Sequence, residues 1–154
     1  LAGGDASVAI WDKLHAEYSD DIEKLEYDIL QAPHHCSWGV LSDEAYDNGN
    51  GQVNKEALQA LSFIREGGLI VSSSISIKDD ENDPPCIGAK LEYKKITSGV
   101  KGDFYTTGEY PDEKNPDPLE VTIEAEGIVP PKRGRSKSGQ YGSGLLASVP
   151  ARHG

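Results

Sequence analysis

Residues 27–37 read YDILQAPHHCS, and this stretch decides how we interpret the chain. The first six residues, YDILQA, are typical of a short buried strand. Pro33 ends this segment because proline lacks the N–H that a strand ladder needs. Two histidines, His34 and His35, follow at once. The sequence therefore predicts that a strand delivers a pair of imidazoles to the end of a sheet.

Strand and helix signals alternate on both sides of this segment. Apolar spacing predicts helices at residues 6–18, 53–65 and 87–96, with Gly67-Gly68 closing the second. Strands are predicted at residues 1–4, 27–32, 69–74, 103–107 and 119–125, and loops at residues 37–52 and 77–85. This order predicts an α/β protein in which helices cover one face of a layered mixed sheet.

The composition predicts one domain and a separate tail. The 154 residues include 26 acidic and 15 basic side chains, and 36% of them are hydrophobic. All the acidic side chains precede residue 130, whereas residues 130–154 carry only basic ones. We therefore predict a folded domain at residues 1–129 and a disordered basic tail, rich in Gly, Ser and Pro, at residues 130–154. The negative charge of the domain disfavours nucleic acid as a partner. The basic charge of the tail would still allow such a contact there.

Several features that the sequence lacks narrow the class of protein. The two cysteines are fifty residues apart and form no CxxC pair, which argues against a zinc knuckle or a thioredoxin-type motif. The sequence has no apolar run of about 18 residues and no signal peptide, so we expect a cytoplasmic protein that does not enter a membrane. It contains no Met and begins at Leu1, which predicts a fragment or a processed product.

Two sets of metal-ligating side chains follow predicted strands. Asp5 comes after Gly3-Gly4, and the His34-His35 pair follows the next strand. Since adjacent strand ends converge at one edge of a sheet, a carboxylate and imidazoles could there ligate zinc, manganese or iron. Two alternatives stay open: Asp5 could cap the following helix, and the histidines could be structural.

These segments resemble a known family. Residues 1–14, LAGGDASVAIWDKL, and residues 27–42, YDILQAPHHCSWGVLS, are similar to the second half of a metallo-β-lactamase-fold hydrolase of bacteria, most of all the branch related to the competence protein ComEC. That branch has a GD strand end followed, after one helix and one strand, by PHHGS. The resemblance covers residues 1–126 and implies half of an αββα sandwich. Cys36 replaces the family's glycine, where its side chain would crowd the metal pocket or act as a soft neighbour.

The resemblance also implies roles for individual residues. Asp5 would bridge two divalent metal ions, zinc or alternatively manganese or iron, and His35 would be the terminal ligand. Asp5 and His35 would thus form the catalytic pair, while His34 would support His35 or replace it as the ligand. Ser37 would bind substrate, unless it caps the turn that follows.

One family motif, HxHxDH, is absent from the 154 residues, and His15 and His153 are badly placed to replace it. We therefore expect the isolated chain to be metal-poor and inactive, and to need a missing N-terminal half as its partner. The complete protein would use a metal-activated water to hydrolyse a phosphodiester or another small ester. Two alternatives are a non-catalytic domain of the same fold that serves as a binding module, and an unrelated acidic α/β binding module.

Overall fold

The computed structural model of the chain describes residues 1–47 and 51–131. Within these residues the chain forms three helices and five strands. They are α1 (Val8–Tyr18), β1 (Tyr27–Gln31), α2 (Lys55–Leu61), β2 (Ile64–Ser72), α3 (Ile87–Gly99), β3 (Asp103–Thr106), β4 (Thr122–Glu124) and β5 (Gly127–Val129). The predicted tail at residues 130–154 lies almost wholly outside the described residues, so its disorder stays a prediction.

Strands β1, β2 and β3 form a parallel sheet in that order. The register places Leu30 beside Ile70 and Ile70 beside Phe104, so these three side chains share one row across the sheet. The predicted strand at residues 1–4 is reduced to a single parallel bridge between Ala2 and Gln31. Because all three strands run the same way, their carboxyl ends meet at one edge, which we call the carboxyl edge.

One hydrophobic cluster joins this sheet to all three helices. Leu30, Ile70 and Tyr93 are completely buried in it, and the Tyr93 ring stacks on Phe104 with a centroid distance of 6.1 Å. The other helices contribute Val8, Trp11, Ala57, Ala60 and Leu61 to the same cluster. The chain is therefore an α/β protein in which the helices share their core with the Leu30–Ile70 side of the sheet.

Strands β4 and β5 pair with each other in an antiparallel hairpin that forms a second sheet. The prediction of a single mixed sheet is therefore wrong for the described residues, because the antiparallel strands do not join the parallel ones. The hairpin instead faces β1 across a cavity of about 350 Å³, which is lined by Asp28 and Ile29 on one side and by Ile123 and Ile128 on the other.

The predicted helix at residues 53–65 is also wrong in its last four residues. Helix α2 begins at the cap Asn54, whose side chain accepts the Ala57 N–H, and it ends at Leu61. The next residues pair with β1: Tyr27 donates its N–H to the Phe63 carbonyl at 3.1 Å and its hydroxyl to the Leu61 carbonyl. Parallel pairing with β1 thus overrides the helical spacing of the local sequence.

Gly67-Gly68 lies inside β2 and does not close a helix as predicted. Gly67 has a φ of +75°, and a Cβ on Gly68 would lie 2.9 Å from the Arg65 carbonyl oxygen. A Cβ on Gly102, just before β3, would lie 2.1 Å from the Gly68 carbonyl oxygen, so the close approach of these two backbones requires glycine at position 102. The glycines therefore serve the sheet and not a helix end.

Most other predicted elements are confirmed within a few residues: α1, β1, α3, β3 and the loop at residues 77–85. In the described part of the chain, no helix is both long enough and apolar enough to cross a bilayer.

Candidate functional site

The turns that follow β1, β2 and β3 meet at the carboxyl edge of the parallel sheet. They are the turn Pro33–His35, the segment 73–77 and the turn Thr107–Glu109. In open α/β sheets this edge is where ligands usually bind, because polar loop residues converge there. The predicted site residues lie at the β1 end of this edge.

The backbone after β1 adopts a conformation that side chains disfavour. His34, His35 and Cys36 have φ angles of 44°, 53° and 69°, so three consecutive residues other than glycine are left-handed. Each such residue costs on the order of 1 kcal/mol and persists only where surrounding contacts enforce it. Strained residues of this kind cluster at functional sites, which marks this turn as a candidate.

The Gly3-Gly4 turn is packed directly against the histidine turn. The Gly4 carbonyl accepts the His34 N–H at 2.7 Å, and a Cβ on Gly3 would lie 2.3 Å from the Pro33 ring. Glycine at position 3 therefore allows this contact, which brings the segment that carries Asp5 beside the histidines. The two predicted motifs are thus neighbours in the fold, although they are almost thirty residues apart in the sequence.

His35 has the most defined geometry of the predicted site residues. Its Nδ1 lies 2.6 Å from the carbonyl oxygen of Ser73, at the end of β2, and 3.4 Å from the Ser73 hydroxyl. A carbonyl oxygen can only accept a hydrogen bond, so Nδ1 carries the proton. In the neutral ring the lone pair is then on Nε2. A backbone carbonyl is one of the usual partners of a metal-ligating histidine, along with carboxylates and water.

His34 and Asp5 are both exposed. The His34 ring centroid lies 6.4 Å from that of His35, with the planes inclined at 54°. Asp5 does not cap the first helix, because α1 begins at Val8 with Ser7 at the cap position. The capping alternative for Asp5 is therefore wrong. The two imidazoles are exposed and lie outside the hydrophobic core, and their role as metal ligands stays a prediction.

Ser37 and Cys36 face away from the exposed part of the edge. Ser37 is buried and its hydroxyl accepts the Gly39 N–H at 3.1 Å, which matches the capping alternative; a substrate contact stays a prediction. The Cys36 side chain is completely buried in the hydrophobic cluster, and burial raises the pKa of its thiol to about 12. The Cys36 side chain therefore lies in the core and not beside the exposed imidazoles, and its φ of 69° explains why glycine suits this position.

Sequence reasoning missed a polar cluster at the other end of the carboxyl edge. Lys90 Nζ lies 2.7 and 2.9 Å from the two Glu109 oxygens, and Glu109 also accepts the Ile77 N–H at 2.8 Å. Burial raises the pKa of the Glu109 carboxyl, but the hydrogen bonds from Lys90 and Ile77 outweigh it, so the pKa lies below its ordinary value. No spacing of residues in the sequence predicts this cluster.

A cavity of about 500 Å³ opens between the loop after β2 and the segment after β3. Its lining includes Ile75 and Ser76 on one side and Gly108 and Pro116 on the other. Ile75 is two residues beyond Ser73, whose carbonyl holds His35, but neither Ser73 nor His35 is among the residues that line the cavity.

The donor atoms for a metal are of a suitable kind, but the three predicted ligands are not close enough together to hold an ion by themselves. Carboxylate oxygens and imidazole nitrogens are ligands of zinc, manganese and iron. Over residues 1–47 and 51–131, however, no three His, Cys, Asp or Glu side chains are close enough together to hold a metal ion. Asp5, His34 and His35 would therefore need ligands from outside this set.

Comparison with known proteins adds no further constraint: no protein-family model, no curated protein and no solved structure matches this chain.

Proposed function

We propose that this chain supplies one side of the metal site of a metal-dependent hydrolase. The observation that carries the proposal is the 2.6 Å contact between His35 Nδ1 and the Ser73 carbonyl, which leaves Nε2 as the lone-pair nitrogen on an exposed ring. The left-handed turn that presents this ring and the adjoining Gly4–His34 contact support the same interpretation. The metallo-β-lactamase-fold resemblance of the two motifs agrees with it.

The roles follow from the chemistry of each group. His35 would be a metal ligand, Asp5 would bridge two metal ions, and His34 would support them from the same turn. The HxHxDH motif is absent from the sequence. The remaining ligands must therefore come from another polypeptide segment, and the isolated chain would be inactive.

A pair of bound zinc, manganese or iron ions would supply a hydroxide at neutral pH and stabilise the charge that develops on the substrate. The chain itself would hold the His35 imidazole in one tautomer and direction. The 500 Å³ cavity, which begins at Ile75 on the same segment as Ser73, would offer room for the part of the substrate that does not react. Asp83 accepts the Trp38 N–H at 3.0 Å, so an acidic loop adjoins the histidine turn. Its charge disfavours a long polyanion, and we propose a small ester or phosphodiester as substrate.

A second function is a non-catalytic domain of the same fold that binds a partner. One observation favours it: the described residues do not bring three metal-ligating side chains together. This alternative predicts that the carboxyl edge binds no metal ion.

The experiment is paramagnetic mapping on the isotope-labelled 154-residue chain. Mn²⁺ broadens the amide signals of residues near its binding site, so even weak binding can be located. We expect selective broadening at residues 3–6 and 34–36, and its loss in the His35→Ala and Asp5→Asn variants. His15→Ala, which removes a histidine of α1, is the matched control and should leave the pattern unchanged.

Broadening that is absent from these residues, or that survives both substitutions, would refute the metal site. The binding-module alternative would then be the better account.

A further inference from the structure

We propose that the turn Thr107–Glu109 is the element that positions His35. This inference rests on the proposed function, because it concerns the orientation of the proposed ligand. The turn follows β3 and is more than seventy residues from His35 in the sequence. It acts through the segment 73–77, whose first carbonyl holds the imidazole.

The first step concerns what fixes the segment 73–77. The Ser74 carbonyl accepts two hydrogen bonds from the turn, one from the Gly108 N–H at 2.9 Å and one from the Thr107 hydroxyl at 3.2 Å. Three residues later, the Ile77 N–H donates to the Glu109 carboxylate at 2.8 Å. The turn therefore holds the segment at both ends, and one of these ends adjoins the carbonyl that binds His35.

The second step concerns what fixes Glu109. Each of its two carboxylate oxygens accepts a hydrogen bond from Lys90 Nζ, and the Lys90 side chain is only 12% exposed. Lys90 also lies 3.5 Å from the Ile77 carbonyl. Because Lys90 belongs to α3, which packs on the sheet, the segment is tied to the rigid part of the fold.

The third step concerns Gly108. A Cβ at this position would lie 2.7 Å from the Ser74 carbonyl oxygen and 2.8 Å from the Ile75 Cα. Both are backbone atoms that cannot rotate away, so an alanine here must displace the segment 73–77. Displacement of Ser74 would also move the Ser73 carbonyl, which directly precedes it, and would weaken the hydrogen bond from His35 Nδ1 to that carbonyl.

This series of contacts predicts which nitrogen of the His35 imidazole carries the proton. With the Ser73 carbonyl in place, Nδ1 carries the proton and Nε2 the lone pair. Once the carbonyl moves, the neutral ring is free to adopt the other tautomer, in which Nε2 is protonated and cannot bind a metal ion.

The test uses the full 154-residue chain without metal. Long-range ¹H–¹⁵N spectra distinguish the two tautomers of a neutral histidine, and they would be recorded at a pH about two units above the usual histidine pKa of about 6.5. We expect His35 in the parent to be protonated at Nδ1. In Gly108→Ala and in Glu109→Ala it should shift towards the Nε2-protonated form.

Two matched controls accompany these variants. Gly99→Ala adds a methyl group where no atom lies within 4 Å, and Glu66→Ala removes an exposed carboxylate near the start of β2. Both should leave His35 unchanged, and His15 should be unchanged in every variant. Glu109→Ala adds no clashing atom, so it keeps the test valid if Gly108→Ala fails to fold.

Mn²⁺ binding provides the second readout. Loss of a partner that orients a ligand usually weakens metal binding by about 10- to 100-fold. We expect a loss of about tenfold in Gly108→Ala and Glu109→Ala, with no loss in the controls.

The outcomes separate the two proposals. A His35 tautomer that is unchanged in folded Gly108→Ala and Glu109→Ala would overturn the positioning role, whatever the metal result. A tautomer shift in chains that never bind Mn²⁺, the parent included, would support the positioning role and refute only the proposed function.

Discussion

Leu30 and His35 are five residues apart, yet different forces hold them. Leu30 is completely buried beside Ile70, where its packing depends on the removal of apolar surface from water. His35 is exposed, and its position depends on a hydrogen bond to a carbonyl and on a left-handed backbone. A change at the core should therefore alter stability without altering the site, whereas a change at the carboxyl edge should alter geometry at a small cost in stability.

The largest effect should come from the core. Leu30→Ala removes a completely buried side chain from the main cluster and should lower the free energy of unfolding by about 3 kcal/mol. Denaturant titration measures this loss, with Ile123→Ala, 72% exposed, as the control that changes stability by about 0.5 kcal/mol or less. A loss below about 1 kcal/mol for Leu30→Ala would contradict the packing described for this face.

A smaller effect should come from the polar cluster of the edge. Lys90→Met leaves the partly buried Glu109 carboxylate without its cation and should lower the free energy of unfolding by about 1–2 kcal/mol at pH 7.

The pH dependence of this loss gives a second check. The pKa of Glu109 is lowered in the folded chain, so its stabilising contribution is complete above the unfolded value of 4.5 and is lost as the pH falls through the lower, folded pKa. The difference between parent and Lys90→Met should therefore shrink when the titration is repeated at about pH 3. A difference that stays constant would show that the Lys90–Glu109 pair does not stabilise the fold through charge.

The strained turn can be tested with a pair of variants at one position. His34→Gly and His34→Ala both remove the imidazole, but only glycine tolerates a φ of 44° without strain. The glycine variant should be more stable than the alanine variant by about 1 kcal/mol in the same titration. Equal stabilities would mean that residue 34 is not left-handed in solution.

The smallest effect should come from an ion pair on the surface. Lys101 and Glu66 are 2.5 Å apart, but both side chains are more than 70% exposed. Water and salt screen such pairs, so Glu66→Gln should leave the unfolding midpoint unchanged within error. A clear shift of the unfolding midpoint would show that exposed ion pairs contribute measurably to the stability of this acidic chain.

The same contrast explains which parts of the fold the sequence predicts. Strand β1 and helices α1 and α3 depend on local apolar patterns, and these predictions are confirmed. The helix prediction is wrong at residues 62–65, because their apolar spacing suits a helix, whereas their pairing with Tyr27 depends on a distant segment. Local patterns therefore predict elements, and non-local pairing decides where they end.

The candidate site likewise has features that the sequence predicts and features that depend on the fold. The proximity of Gly4 and His34 follows from the convergence of strand ends, which the sequence indicates. The Ser73 carbonyl could not be predicted, because every residue has a carbonyl and its direction depends on the fold. The Lys90–Glu109 pair could not be predicted either, since the two side chains meet only after α3 and β3 have packed.

The two buried cysteines give the chain an internal reporter of motion. The Cys36 carbonyl accepts the Cys86 N–H at 3.0 Å, and burial raises the pKa of both thiols. Only an exposed thiolate attacks an alkylating reagent, so alkylation requires that the surrounding structure first open. Because Cys36 follows His35 directly, its alkylation rate in the unmodified chain would report how often the histidine turn detaches from the core.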